Sequence, residues 1–190
     1  KYLDDVLTDI KFSNVAWNDD KGVFYKKNSN KEFFAKDSTY QLYYHKIGDI
    51  QSKDQLVFDT SNTKSNFSFF TKQNKLFIVE TSEDETTKNY YYSTIENESF
   101  QFKNFIKDDK SNLELLNIIN DKFYFSDEKY SWGNISYFDI NNRTENTILI
   151  PQVYSHLLVG ATFLENYIIC KYDNMGKYYM SIHDYTGKFI

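Results

Sequence analysis

A two-part pattern returns four times along this 190-residue chain, and it constrains the fold more than any single residue does. The first part is a short apolar strand, a polar turn and a second, aromatic-rich strand. It reads Val15-Ala16-Trp17 then Val23-Phe24-Tyr25, and Ser68-Phe69-Phe70 then Leu76-Phe77-Ile78. It continues as Asn117-Ile118-Ile119 then Phe123-Tyr124-Phe125, and Ala161-Thr162-Phe163 then Tyr167-Ile168-Ile169. The second part is an alternating strand that runs into a turn, at residues 42–49, 90–97, 135–142 and 180–187. Its starts, 42, 90, 135 and 180, lie 48, 45 and 45 residues apart. A steady period of this size, with several strands per unit, predicts propeller blades or a related β-array.

Seventeen Tyr and seventeen Phe set against one Pro and six Gly agree with an all-β chain, because aromatic residues favour strands. The formal charge of −5, spread along the chain, argues against a nucleic-acid partner. A lone Cys170 excludes an internal disulfide and a Cys-based zinc site, and reads as a buried strand thiol. No stretch reaches the roughly 18 apolar residues of a membrane span. No leader opens the chain, and the expected location is the cytoplasm, with the periplasm as the alternative. Lys1 and Ile190 read as cuts within a larger protein, since no initiator Met is present and the last unit stops at a turn.

The expected division is residues 1–10 as the last strand of a preceding blade, blades at 11–60, 61–106 and 107–152, and an incomplete blade at 153–190. Within them, strands are expected near 11–17, 22–26, 41–46 and 55–59, then 67–70, 75–80, 90–94 and 100–105. The third unit follows with 113–119, 122–126, 134–138 and 147–150, and the last with 157–163, 167–171 and 178–183. The apolar spacing of 113–119 suits a short amphipathic helix almost as well. Asn18-Asp19-Asp20-Lys21-Gly22 and Tyr185-Thr186-Gly187-Lys188 are hairpin turns by composition, and Asn120-Asp121 and Asn141-Asn142 can supply left-handed turn residues. In an up-and-down blade the loops between strands two and three share one end with the connections between blades. They are longer and more irregular here than the turns at the other end, so binding is expected among them.

Catalytic patterns are absent. No Gly-x-Ser-x-Gly elbow and no phosphate-cradling loop can be built from glycines at 22, 48, 133, 160, 176 and 187. His45, His156 and His183 are too dispersed for a metal cluster and read as structural; no metal and no cofactor are expected. The acidic run Ser82-Glu83-Asp84-Glu85 lacks calcium-loop spacing and reads as a solvated loop.

One segment carries a resemblance. Ile10-Lys11-Phe12-Ser13-Asn14-Val15-Ala16-Trp17, followed by Asp20-Lys21-Gly22-Val23-Phe24-Tyr25, resembles the propeller of prolyl oligopeptidases, where a K-F-S-x-x-A-W strand leads into D-G-K-G-x-F-Y. Gln41-Leu42-Tyr43-Tyr44-His45-Lys46-Ile47-Gly48 is similar to the family's LYYHKLG strand, and Gln51-Ser52-Lys53-Asp54-Gln55-Leu56-Val57-Phe58 to the QSEDxLVY that follows it. Asp4-Asp5-Val6-Leu7 resembles the lead-in. The likeness is specific over residues 4–59 and one of strand pattern from 60 to 190.

The resemblance implies about four four-stranded antiparallel blades from a seven-bladed propeller. In the whole enzyme the propeller covers an α/β-hydrolase domain whose Ser-Asp-His triad cleaves short peptides after proline, and it filters what enters. The expected function is therefore a non-catalytic gate, inactive as an isolated chain. Its implied partners are the hydrolase domain of the same parent and short proline-containing peptides, with no nucleic acid and no membrane. Phe12 matches the family's propeller phenylalanine that faces substrate and is the single site residue carried over, with a blade-packing aromatic as the competing role. The family's apolar residue before the second blade falls near 64–66 and its cysteine in the next loop near Asp84, where this chain is polar or acidic. A homodimer through exposed blade ends is a further expectation. The alternative function is a stand-alone propeller that binds a peptide or protein.

Overall fold

The computed structural model describes residues 4–10, 13–28, 39–96, 98–111 and 113–190. Fifteen strands are assigned among them, and the only helical element is a single 3-10 turn, Gln51–Lys53. The first sheet contains β1 (Val15–Asn18), β2 (Gly22–Asn28), β3 (Tyr40–Lys46) and β4 (Gln55–Asp59). The second contains β5 (Asn66–Lys72), β6 (Lys75–Thr81), β7 (Lys88–Thr94) and β8 (Lys103–Asp109). The third has β9 (Glu114–Ile119), β10 (Lys122–Ser126), β11 (Ile135–Asp139) and β12 (Asn142–Ile150). The last has β13 (Leu157–Phe163), β14 (Ile168–Asn174) and β15 (Lys177–His183). Each sheet is an antiparallel meander in chain order, three of four strands and one of three. The chain divides into two compact units, Lys1–Lys110 with the first two sheets and Ser111–Ile190 with the last two.

Residues 114–119 form a strand and not the amphipathic helix their spacing also allowed. Ile118 faces inward opposite Phe123, and pairing with β10 supplies the backbone partners that an isolated short helix would lack. The second sheet runs on to Asp109, past the expected limit at 106. Pro151 stands exposed just beyond β12, where its missing amide donor costs no ladder bond.

Residues 4–10, expected as the last strand of a preceding blade, form no ladder with any described strand. The connection between β3 and β4 holds them in place. Thr8 N–H and Oγ1 both donate to Gln51 Oε1 at 3.0 Å, and the Gln51 amide donates back to Thr8 O at 3.0 Å. Gly48 N–H donates to the Asp5 carboxylate at 3.1 Å.

Turn chemistry separates the hairpins. Gln73-Asn74 and Asn120-Asp121 both take positive φ at each position, the twist-matched geometry for two-residue hairpins. Asn141 and Asn142 do not. Their turn is closed by Asn141 N–H donating to Asp139 Oδ1 at 2.8 Å. Gly22 is needed for close approach rather than for its φ. A Cβ there would lie 2.4 Å from the His45 carbonyl oxygen and 2.6 Å from the Tyr44 ring.

In the first unit the two sheets pack face to face. Ala16, Phe24, Leu42 and Tyr44 of the first meet Phe67, Phe69, Leu76 and Ile78 of the second. Phe24 is wedged 4.9 Å from Tyr44 and 5.4 Å from Phe100, centroid to centroid. Phe58 is ringed by Phe67, Tyr91 and Phe102 at 5.4–5.6 Å. In the second unit Tyr124, Ile135, Leu149 and Ile150 face Ile168, Cys170 and Tyr172, and Cys170 is fully buried. The opposite face of the first sheet leaves Val15, Trp17 and Leu56 exposed, and that of the last sheet leaves Tyr178, Met180 and Ile182 exposed.

Candidate functional site

The loop end of the first unit carries a buried polar floor, built where β2, β5 and β6 start or finish. Lys26, two residues before the end of β2, is only 9 % exposed. Its ammonium donates to Asn66 Oδ1 and to the Phe67 carbonyl, both at 3.2 Å, and sits 4.3 Å over the Tyr40 ring. Burial pushes it below the usual lysine range. Its backbone N–H donates to Ser13 Oγ at 2.7 Å, which anchors the entry to the first sheet.

Beside it lies Glu80, 8 % exposed. Ser65 Oγ and Thr63 Oγ1 donate to Oε1 at 2.5 and 3.2 Å, and Tyr91 OH donates to Oε2 at 2.8 Å. Burial first, and then the Glu80 carboxylate, hold the Tyr91 phenol proton on. Three hydroxyl donors on one carboxylate tie the connecting loop 60–66 to the second sheet. Glu80→Gln keeps the shape but points an amide NH2 at hydroxyls that now donate. The expected loss is about 1–3 kcal/mol of stability, with Tyr91 ionising more easily. Unchanged denaturant midpoint and Tyr91 titration in this variant would show that the carboxylate charge is not what the loop depends on.

Of the positions where an apolar subsite was weighed, Lys64 is exposed with φ of 52°, Ser65 is buried on Glu80, and Asn66 is bonded to Lys26. Asp84 accepts from Ser82 Oγ at 2.6 Å and from Thr86 Oγ1 at 2.8 Å, which holds its carboxyl below the usual range. The acidic run thus closes its own loop. Phe12 lies outside the described residues, and Ser13 is the nearest described residue on its C-terminal side.

A second polar cluster went unread in the sequence. His45 Nδ1 lies 2.7 Å from Asp54 Oδ1, and Tyr25 OH donates to Asp54 Oδ2 at 2.7 Å. Asp5 approaches His45 Nε2 at 4.0 Å, and that nitrogen is buried without a hydrogen-bond partner among the described residues. The members stand too far apart in the chain for spacing to reveal them. His183 and Ser181 form a third pair, Oγ to Nε2 at 2.8 Å, with His183 Nδ1 held by the Gly187 carbonyl at 3.1 Å.

At the loop end of the second unit, Trp132 packs edge-on to Tyr154 at 5.6 Å, and His156 to Tyr179 at 5.3 Å. Among the described residues no group of three or more His, Cys, Asp or Glu side chains gathers as a metal site. Two clefts of the first unit, about 370 Å³ beside Tyr92, Glu96 and Lys103 and about 150 Å³ between Trp17 and Gln73, are open; the larger mixes polar and apolar lining and the smaller is mostly polar. The Lys26, Glu80 and Trp132 contacts hold the loop ends in place.

Comparison with known proteins agrees with this architecture. The family described as prolyl oligopeptidase, N-terminal β-propeller domain, matches residues 1–190. A prolyl endopeptidase of Elizabethkingia miricola is 25 % identical over 134 residues, which cover 68 % of this chain and 19 % of that protein. The chain thus spans about a fifth of the length of the curated relatives it matches. A solved prolyl endopeptidase superposes with a TM-score of 0.80 at 18 % identity, covering 99 % of this chain and 28 % of its own. Prolyl oligopeptidase B of Galerina marginata, bound to a 25mer macrocyclization substrate, superposes at 0.81 with 15 % identity and the same coverage. The fold these likenesses establish is an all-β, partial β-propeller.

Proposed function

The chain belongs to the family of prolyl oligopeptidase N-terminal β-propeller domains, and from that premise we propose that it is the non-catalytic, substrate-filtering part of a serine peptidase that cleaves short peptides after proline. The observation that carries this reading is the match of the propeller domain over the whole chain, beside curated prolyl endopeptidases several times its length. The partner it implies is a hydrolase domain in the same parent protein. In the described residues, Lys26 and Glu80 tie the loop ends to the sheets, and loops held on a sheet scaffold support a filtering role.

Phe12 is proposed to touch substrate beyond the proline pocket. In the peptidase that carries this propeller, Phe12→Ala is expected to raise KM for longer peptides several-fold and to leave proline dipeptide derivatives nearly unchanged. Removing a contact that short substrates never make costs them nothing. A large fall in melting temperature with unchanged kinetics would assign Phe12 to blade packing and sink its substrate role. The isolated chain is the companion measurement: turnover of a chromogenic proline peptide by residues 1–190, blocked by a serine-directed phosphonate, would overturn the non-catalytic reading.

A further inference from the structure

His45, in β3, is 2 % exposed and stands between two carboxylates. Asp54 fixes the ring from one side. Its Oδ1 lies 2.7 Å from His45 Nδ1, and its Oδ2 accepts from Tyr25 OH at 2.7 Å, so both carboxylate oxygens are engaged. An ionised carboxylate can only accept, which puts a proton on Nδ1 whatever the charge of the ring. The other nitrogen carries the difference. In the neutral ring Nε2 is a bare acceptor, buried, with no hydrogen-bond partner among the described residues. It faces a second acceptor, Asp5 Oδ1, at 4.0 Å. In the cation the same nitrogen is a donor aimed at a carboxylate. Protonation therefore satisfies both ring nitrogens, and the neutral ring leaves one of them without a partner.

Asp5 belongs to residues 4–10, which join no ladder among the described strands and are tied down at two points. One tie is uncharged: Thr8 N–H and Oγ1 on Gln51 Oε1, with Gln51 Nε2 donating back to Thr8 O. The other is charged. The Asp5 carboxylate accepts from Gly48 N–H, 3.1 Å from each oxygen, and faces His45. Among the described residues the titratable groups around the ring are Asp5 of this segment, Asp54 of the β3–β4 connection and Tyr25 of β2. The nearby cations are taken elsewhere, Lys46 by Glu98 and Lys53 by Asp49. We propose that residues 4–10 are a proton-operated strap: protonated His45 draws Asp5 down onto the ring and the Gly48 amide, and loss of the Nε2 proton frees the Asp5 end while Thr8 stays tied to Gln51. Seating the strap and protonating the ring favour one another. The hold is complete on the acid side of the window in which imidazoles change charge, about pH 5–8, and is lost as pH rises through it. The device lies wholly in the first unit and stands apart from the peptidase reading.

Amide exchange followed by NMR on the whole chain reads both ties at once, because Gly48 N–H reports on Asp5 and Thr8 N–H on Gln51. After correction for the intrinsic pH dependence of exchange, Gly48 protection is expected to fall at least about fivefold between about pH 5.5 and 8. Thr8 protection should change by less than about twofold, since its tie carries no charge. The ring-carbon shifts of His45 should titrate with the same midpoint as the Gly48 loss. Asp5→Asn lies outside every described ladder, so it should leave the melting temperature unchanged and make Gly48 protection flat across the window. His45→Gln, which still offers Asp54 a neutral donor, should flatten it too; if that variant does not fold, Asp5→Asn and the His45 ring shifts decide the matter. Gly48 protection that is constant in the parent, or a fall that persists in Asp5→Asn, overturns the proposal. So does a Gly48 midpoint that differs from that of the His45 ring. Parallel loss at Gly48 and Thr8 would show the segment leaving as one piece and overturn the two-ended strap.

Discussion

Phe24→Ala is expected to cost about 3–5 kcal/mol, the largest loss for any single truncation in the first unit. Phe24 is fully buried in the centre of β2, with Tyr44 on its own sheet and Phe100 closing over its edge. Removing the ring empties the seam where Leu42 and Ala16 of the first sheet face Phe69 and Ile78 of the second. The strands bordering that seam are held by their own ladders, so they cannot collapse inward to refill it. For a chain of this length the loss corresponds to a melting-temperature fall of roughly 6–20 °C. Phe24→Leu, which keeps most of the volume, should lose far less. A denaturant midpoint for Phe24→Ala within about 0.5 kcal/mol of the parent would show that the two sheets are not joined through this ring.

Alkaline pH is expected to unfold each unit cooperatively. Burial pushes Tyr90, Tyr124 and Tyr172 each up to about 12 from the ordinary 10, with Asp109 adding to the shift at Tyr90 and Tyr185 at Tyr124. Tyr25 and Tyr91 move in the same direction for the same first reason. Below pH 10 folded and unfolded chains both hold these protons, and the full stability is present. Above it the unfolded chain releases them first, so the folded chain binds more protons and stability falls as pH climbs toward 12. Each of the three forfeits on the order of 2–3 kcal/mol when the window has been crossed. For Tyr124 and Tyr172 of the second unit the sum is about 4–6 kcal/mol, at the lower end of an ordinary domain's stability of about 5–15 kcal/mol. Tyrosinate absorbance and the loss of β-sheet circular dichroism should therefore rise together. Replacing Tyr90, Tyr124 and Tyr172 by Phe should move the midpoint to higher pH. Gradual tyrosinate formation from pH 10 with the circular dichroism intact would mean that these phenols ionise in place.

The repeat was legible because blade strands are local. Val23-Phe24-Tyr25, Phe123-Tyr124-Phe125 and the hairpin residues Asn120-Asp121 carry their own β preference and turn geometry within a few positions. Residues 114–119 were legible only as an apolar run, since a short strand and a helical turn present similar spacing until a pairing partner is present. Residues 5–9, expected as the last strand of a preceding blade, pair with no described strand, and Gln51 takes up the backbone of Thr8.

Polar and aromatic sites were harder. Nothing near Lys26 in the chain announces Asn66 and the Phe67 carbonyl, and nothing near Glu80 announces Tyr91 OH. Asp5 reaches His45 from 40 positions away, |i−j| being 43 for the neighbouring Asp5–Gly48 contact. Trp132 and Tyr154 lie on different loops, and only the tight pass of Gly133 against Leu158 brings their rings together. By itself the sequence determined the all-β class, the four-unit period and the family, since alternation and turn residues act over a few bonds. The tertiary structure alone decided which loops meet, where Lys26 and Glu80 find their partners, and which rings stay in water. Those contacts depend on how far each connection carries the chain between sheets, a distance that no local pattern encodes.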